Sequence, residues 1–275
     1  MFCKESQNET NIIFCTISAT EYVGMYLFVH LLCPMLLIAY DCLPRRKIMV
    51  LPAYVGALDR KRQRETALIT GASSGIGLDL AQLMAPDFDL IITARNQAEL
   101  EKIAKELQMA HGNHVHVIPA DLAQPEAPQQ IFAEIERRGL PVDILINNAG
   151  FGSYGAFAES DPRTSLDMIE VNIAALTALT RLTLPGKDSG ITVTCLCPGA
   201  TATKFAGRAN MEESRLFKLG AMKSRDVAIA GYKGMMAGKA LVIPGVLNKT
   251  VAMSVRFSPR KLVTAISRSL QEKAK

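Results

Sequence analysis

The stretch "TALITGASSGIGLDLAQLMAPD", residues 66–87, decides how this chain folds. Its first five residues are β-branched or apolar, which suits a short strand buried on both faces. Further on, Ile76, Leu80, Leu83 and Met84 recur at the i, i+4, i+7, i+8 spacing of one helix face. Between the two lies "GASSGIG" (71–77). Its glycines let the backbone bend sharply and come close to a ligand, and the helix that follows offers unpaired N–H groups and the positive end of its dipole. Strand, glycine turn and helix in that order make a seat for a pyrophosphate.

The same alternation continues outward. "FDLIITAR" (88–95) is the next strand and ends at Arg95, 18 residues after Gly77. An acidic residue at about that distance suits the ribose of NAD, whereas a cation suits the 2′-phosphate of NADP. The alternative for Arg95 is a solvated surface side chain. "NQAELEKIAKELQMAHG" (96–112) opens on an Asn-x-x-Glu cap and puts Leu100, Ile103, Ala104 and Leu107 on one face. "HVHVIPADL" (114–122) and "VDILINNAG" (142–150) read as further strands, with a helix in "APQQIFAEIERRG" between them. The expected fold is α/β, a Rossmann-type doubly wound parallel sheet. Ligands in such sheets gather at the carboxyl ends of the strands, where Asp121 and residues 147–150 fall. His111, His114 and His116 lie at the opposite edge, so no metal site is expected.

With 275 residues, one core plus an appendage is the natural division: residues 1–48 as an N-terminal extension and 49–275 as the nucleotide-binding domain. Residues 23–40, "VGMYLFVHLLCPMLLIAY", carry no formal charge and have about the minimum length that spans a bilayer. Basic residues follow the stretch, so an anchored chain would keep its large domain on the cytoplasmic side. The other readings are an over-extended start, because Met49 opens a natural beginning for a cytoplasmic protein, and a soluble packed helix; the sequence leaves all three open. Six cysteines without a Cys-x-x-Cys pair fit a reducing, cytoplasmic setting better than a disulfide framework. The net charge of +5 is spread out, with no basic stripe interleaved with aromatics, so nucleic acid is not an expected partner.

"TGASSGIG" (70–77), "DL" (121–122), "NNAG" (147–150), "VN" (171–172) and "PGATATKF" (198–205) follow one another in the order seen in the short-chain dehydrogenase/reductase family. The chain resembles that family from about residue 65 to about 245, and its tail resembles bacterial members. The resemblance implies an NADP(H)-dependent oxidoreductase of a carbonyl or secondary alcohol, with a small-molecule substrate and a homo-oligomeric assembly. It implies that Gly71, Ser73, Ser74, Gly75, Ile76 and Gly77 line the cofactor phosphates and adenosine ribose, and that Arg95 meets the 2′-phosphate. It places Asp121 and Leu122 at the adenine, and Asn148, Ala149 and Gly150 behind the ribose on the nicotinamide side. Pro198, Gly199, Thr201 and Thr203 would hold the carboxamide, and Asn172 matches the Asn that organises a proton-relay water.

One part of the family pattern is missing. Members donate a proton from a Tyr whose phenolate a Lys four residues later favours, because a nearby opposite charge stabilises the ionised form. A Ser on the preceding strand end orients the carbonyl. Here 25 residues separate Asn172 from Pro198 and contain neither that Ser nor a Tyr, and no Tyr-x-x-x-Lys occurs anywhere in the chain. Roughly forty to fifty residues, about one strand and one long helix, are absent relative to the family. Three expectations follow. Catalysis is impaired or lost, with a non-catalytic NADP-binding pseudoenzyme or truncated remnant as the alternative. Residues 191–197 take the vacant strand position beside 142–148. Apolar side chains among Ile173, Leu176, Leu179 and Leu182 become exposed, which favours association.

Overall fold

The computed structural model of the chain describes residues 12–16, 64–153, 155, 157–183, 190–205 and 220–271. Short apolar runs become strands and the amphipathic runs become helices. β1 (Ile12–Thr16) is followed by β2 (Thr66–Thr70), α1 (Gly75–Met84), β3 (Asp89–Thr93), α2 (Gln97–His111), β4 (Val115–Val117), α3 (Ala127–Arg138) and β5 (Ile144–Asn147). Then come α4 (Pro162–Ile169), a π-helical turn (Glu170–Ala175), α5 (Leu176–Thr183), β6 (Thr192–Leu196), β7 (Thr201–Ala202) and β8 (Met222–Lys223). The order closes with α6 (Ser224–Met236), β9 (Leu241–Val242), α7 (Val246–Ser254) and α8 (Arg260–Gln271). The helix caps follow the sequence: the Asn96 side chain accepts from the Glu99 N–H, and Gly112 ends α2 in the left-handed conformation at φ 63°.

Seven strands form one parallel sheet in the order β4-β3-β2-β5-β1-β6-β9. This is the doubly wound fold expected, and both faces are covered. One core holds Phe14, Ile69, Leu80, Met84, Ile92 and Leu196 under α1, α2 and α6. The other holds Leu68, Ile91, Ile131, Ile135, Leu145 and Leu179 under α3 and α5. Strands buried on both faces explain the nearly unbroken apolar runs of β2 and β5.

The position next to β5 is filled by β1. Residues 191–197 were expected there, and the structure corrects that expectation. Ile12–Cys15 pair with Ile144–Asn147 on one side, and Ile12–Thr16 pair with Thr192–Leu196 on the other. β6 is therefore one place further out, between β1 and β9. The reason is packing. Phe14 is fully buried, and with Leu196 it abuts Gly231 on α6, where a Cβ would stand 2.9 Å from both side chains. An apolar strand with a phenyl ring facing a glycine notch fills a place that β6 alone would leave short of a neighbour.

The exposure expected near Asn172 holds in part. Ile173 is 54 % exposed, and Val193 on β6 is 47 % exposed. Leu179 is instead buried, because it packs into the core beneath β5 and α3, and Leu176 and Leu182 are half-buried. Residues 23–40, Tyr154 and the turn 184–189 lie outside the described residues. Among the described residues no helix is long and apolar enough to cross a membrane.

Candidate functional site

The carboxyl ends of β2, β3 and β5 meet at the glycine turn, and one buried hydroxyl explains why they stay together. Thr70, the last residue of β2, accepts through Oγ1 from the N–H groups of Asn148 and Ala149, each at 2.9 Å. The same hydroxyl donates to the Ile146 carbonyl at 3.3 Å. Asn148 answers with its amide Nδ2, which donates to the carbonyls of Thr70 at 3.0 Å and Gly71 at 3.4 Å. The Gly71 N–H donates to the Thr93 carbonyl at 2.9 Å and brings in β3.

Glycine is a steric requirement here. Gly71 has φ +67°, and a Cβ on it would stand 2.9 Å from Ala149 Cα. A Cβ on Gly77 would collide with the Asn148 amide and the Gly71 carbonyl. Ser73, Ser74, Gly75 and Ile76 span the turn into α1, and Ser74 takes the cap position without a capping bond from its hydroxyl. The first N–H groups of α1 thus receive no acceptor from Ser74, which is the arrangement that favours an anion at a helix start.

The strand ends on either side bring in the other expected residues. Arg95 is exposed, two residues beyond Thr93. The Ala120 N–H donates to the Ala94 carbonyl at 3.1 Å, which holds Asp121 beside the end of β3. Asp121 Oδ1 accepts from Ala123 N–H at 3.2 Å. Leu122 is 8 % exposed and packs in the core with Leu68 and Ile118, so its backbone is the part left for the rim. Beyond β6, Pro198 is buried and the Thr201 hydroxyl donates to the Gly199 carbonyl at 2.9 Å. Thr203 closes on the glycine turn, its Cγ2 being 3.1 Å from where a Gly75 Cβ would lie.

Asn172 stands in the π-helical turn and grips the backbone that follows β5. Its Oδ1 accepts from the Phe151 N–H at 3.1 Å, and its Nδ2 donates to the Phe151 carbonyl at 2.9 Å. Thus Thr70 holds "NNAG" from one side and Asn172 holds its exit from the other. Two residues of this arrangement were not singled out from the sequence. Thr70 was readable as the polar end of a buried strand leading into the glycine turn. Asn248 on α7, whose side chain would collide with a Cβ on Gly199 and whose Nδ2 donates to the Pro244 carbonyl at 2.9 Å, had no local signal.

The acid–base groups near the cradle are few. Burial pushes the Cys15 thiol up, against the opposing effect of a bond from Asn147, so it behaves as a neutral core thiol. Tyr232, the only tyrosine among the described residues, stands near Asp87, at the amino end of β3 and away from the cradle; burial and then the Asp87 charge raise its phenol. No cluster of three or more His, Cys, Asp or Glu that could hold a metal occurs among the described residues.

A glycine turn clamped between parallel strand ends, beside a helix start, defines a Rossmann-type nucleotide-fold protein. Residues 65–188 match the family model for short chain dehydrogenase. Over that segment the chain is similar to the short-chain dehydrogenase/reductase family. It is similar to YmfI of Bacillus subtilis, an uncharacterized oxidoreductase, with 31 % identity over 124 residues, 44 % of this chain and 50 % of that protein. It is also similar to a very-long-chain 3-oxoacyl-CoA reductase of Scheffersomyces stipitis, 31 % identical over 142 residues, 50 % of this chain and 41 % of the other. The chain spans about half the length of the curated relatives it matches. Among solved structures, a short-chain dehydrogenase from Sphingobium yanoikuyae in complex with NADPH superposes with a TM-score of 0.62 at 24 % identity, over 73 % of this chain and 95 % of that one.

Proposed function

We propose that the chain binds NADP(H) in this cradle and that, as written, it turns over carbonyl compounds poorly or not at all. The observation that supports the binding is the close approach at Gly71 and Gly77, where any Cβ would run into Asn148, Ala149 or the Gly71 carbonyl, so that only glycine lets the turn lie this tightly against the end of β5. Gly71, Ser73, Ser74, Gly75, Ile76 and Gly77 would hold the phosphates and adenosine ribose, and Asp121 with the Leu122 backbone would border the adenine. Asn148, Ala149 and Gly150 would back the nicotinamide ribose, and Pro198, Gly199, Thr201 and Thr203 would border the carboxamide. Exposed Arg95 favours the 2′-phosphate, and the NADPH complex of the Sphingobium relative supports that choice. A bound nicotinamide supplies or takes up a hydride.

What the chain's own residues do for the proton is the weak part. Asn172 has both ends of its amide on the Phe151 backbone, so it acts here as a positioning residue. With no Tyr-x-x-x-Lys in the sequence, the pair that makes a phenol useful as an acid–base group at neutral pH is absent. The relatives' names, an oxidoreductase and a 3-oxoacyl-CoA reductase, support a carbonyl or secondary alcohol as the ancestral substrate class. A non-catalytic NADP-binding pseudoenzyme is the reading that the missing pair favours.

The binding half is tested by titrating the protein with NADPH and following nicotinamide fluorescence, in parallel with an Arg95→Glu variant. Saturable binding, weakened at least about tenfold by the charge reversal, is expected. Equal affinity of both proteins would remove Arg95 from the site. No saturable binding by either would remove the site itself.

A further inference from the structure

The last two described helices leave apolar side chains uncovered within a run of one-sign charge. Val246 and Leu247 at the start of α7 are 85 % and 76 % exposed, and Phe257 between the helices is 84 % exposed. On α8, Leu262 and Ile266 are 51 % and 52 % exposed. They are one turn apart and share a face, while Arg260, Lys261, Thr264 and Arg268 fall on the other. Residues 246–271 contain Lys249, Arg256, Arg260, Lys261 and Arg268, and no Asp or Glu.

An apolar stripe opposed by cations, with little overall hydrophobicity, is the pattern of a helix that lies in the plane of a bilayer interface. Charge decides between the occupants. A second copy meeting this face across a two-fold axis would bring cations against cations, whereas anionic headgroups neutralise them. We propose that the C-terminal helices lay the protein on an anionic lipid surface. Arg260, Lys261 and Arg268 meet the headgroups, and Phe257, Leu262 and Ile266 enter the acyl boundary. The proposal depends on neither the nucleotide cradle nor residues 23–40.

The chain contains no tryptophan, so Phe257→Trp in the full chain places a single reporter at the proposed surface. Its emission is expected to move to shorter wavelength with vesicles of mixed phosphatidylcholine and phosphatidylglycerol, and to stay put with phosphatidylcholine alone. Adding Arg260→Glu, Lys261→Glu and Arg268→Glu is expected to raise the vesicle concentration for half the shift by about a hundredfold or more, since each cation near such a surface contributes on the order of 1 kcal/mol. The unaltered chain should float with the anionic vesicles at about 0.1 M salt and lose most of that binding at about 1 M. No shift with anionic vesicles would overturn the proposal. So would an equal shift with neutral ones, or a shift without lipid that grows with protein concentration, the mark of a second copy on this face.

Discussion

Thr70 is a single hydroxyl on which two backbone amides depend. Replacing it by Val keeps the volume and removes the acceptor, leaving the N–H groups of Asn148 and Ala149 without the bonds they make at 2.9 Å. A buried donor left unmade costs about 1–3 kcal/mol, so Thr70→Val should lower the urea midpoint by that equivalent with an unchanged slope. An unchanged midpoint would mean that the strand ends hold without this clamp. His116 gives a prediction in pH. Burial, with Arg138 and His114 adding to it, holds its imidazole below the ordinary value of 6.5. The folded state therefore disfavours the proton. The contribution is present in full above about pH 6.5 and is lost as pH falls through the window between the unfolded and the lower folded value. His116→Gln should flatten the decline in melting temperature across that window, and an equally steep decline in the variant would assign it to other groups.

Among the elements, β1 has the most consequence for the fold and was the least legible. The glycine turn, its helix and the cap on α2 are local patterns, carried by residues within one or two turns of each other, and the structure keeps them. β1 is five residues, too few to declare a period, and residues 17–65 separate it from β2. Nothing local to "IIFCT" names β5 and β6 as its neighbours. A free place beside β5 was an expectation drawn from the family resemblance, but its occupant was not legible. The π-helical turn at Asn172 was likewise hidden, and so was the grip of its side chain on Phe151, 21 residues earlier. A buried Phe cut to Ala costs about 3–5 kcal/mol, so Phe14→Ala should lower stability by that amount in denaturant unfolding. If Phe14→Ala leaves the midpoint where it was, β1 is not in the sheet.

Taken as a whole, the molecule joins a well-built nucleotide cradle to a sheet completed from the wrong end of the chain. The cradle was legible because its chemistry needs glycine at fixed spacing and because Thr70, Asn148 and Thr203 only reinforce what that turn demands. For the proton the sequence offers no Tyr-x-x-x-Lys, and the one tyrosine among the described residues, Tyr232, stands away from the cradle. Binding and turnover should therefore separate. The most direct measurement adds the purified full-length protein to NADPH, records saturation from the rise in nicotinamide fluorescence, and then follows that signal after ketones and aldehydes are supplied. We expect the signal to saturate and then hold steady, no faster to decay than in protein-free controls. Sustained, substrate-dependent oxidation of NADPH that scales with protein concentration would contradict the account.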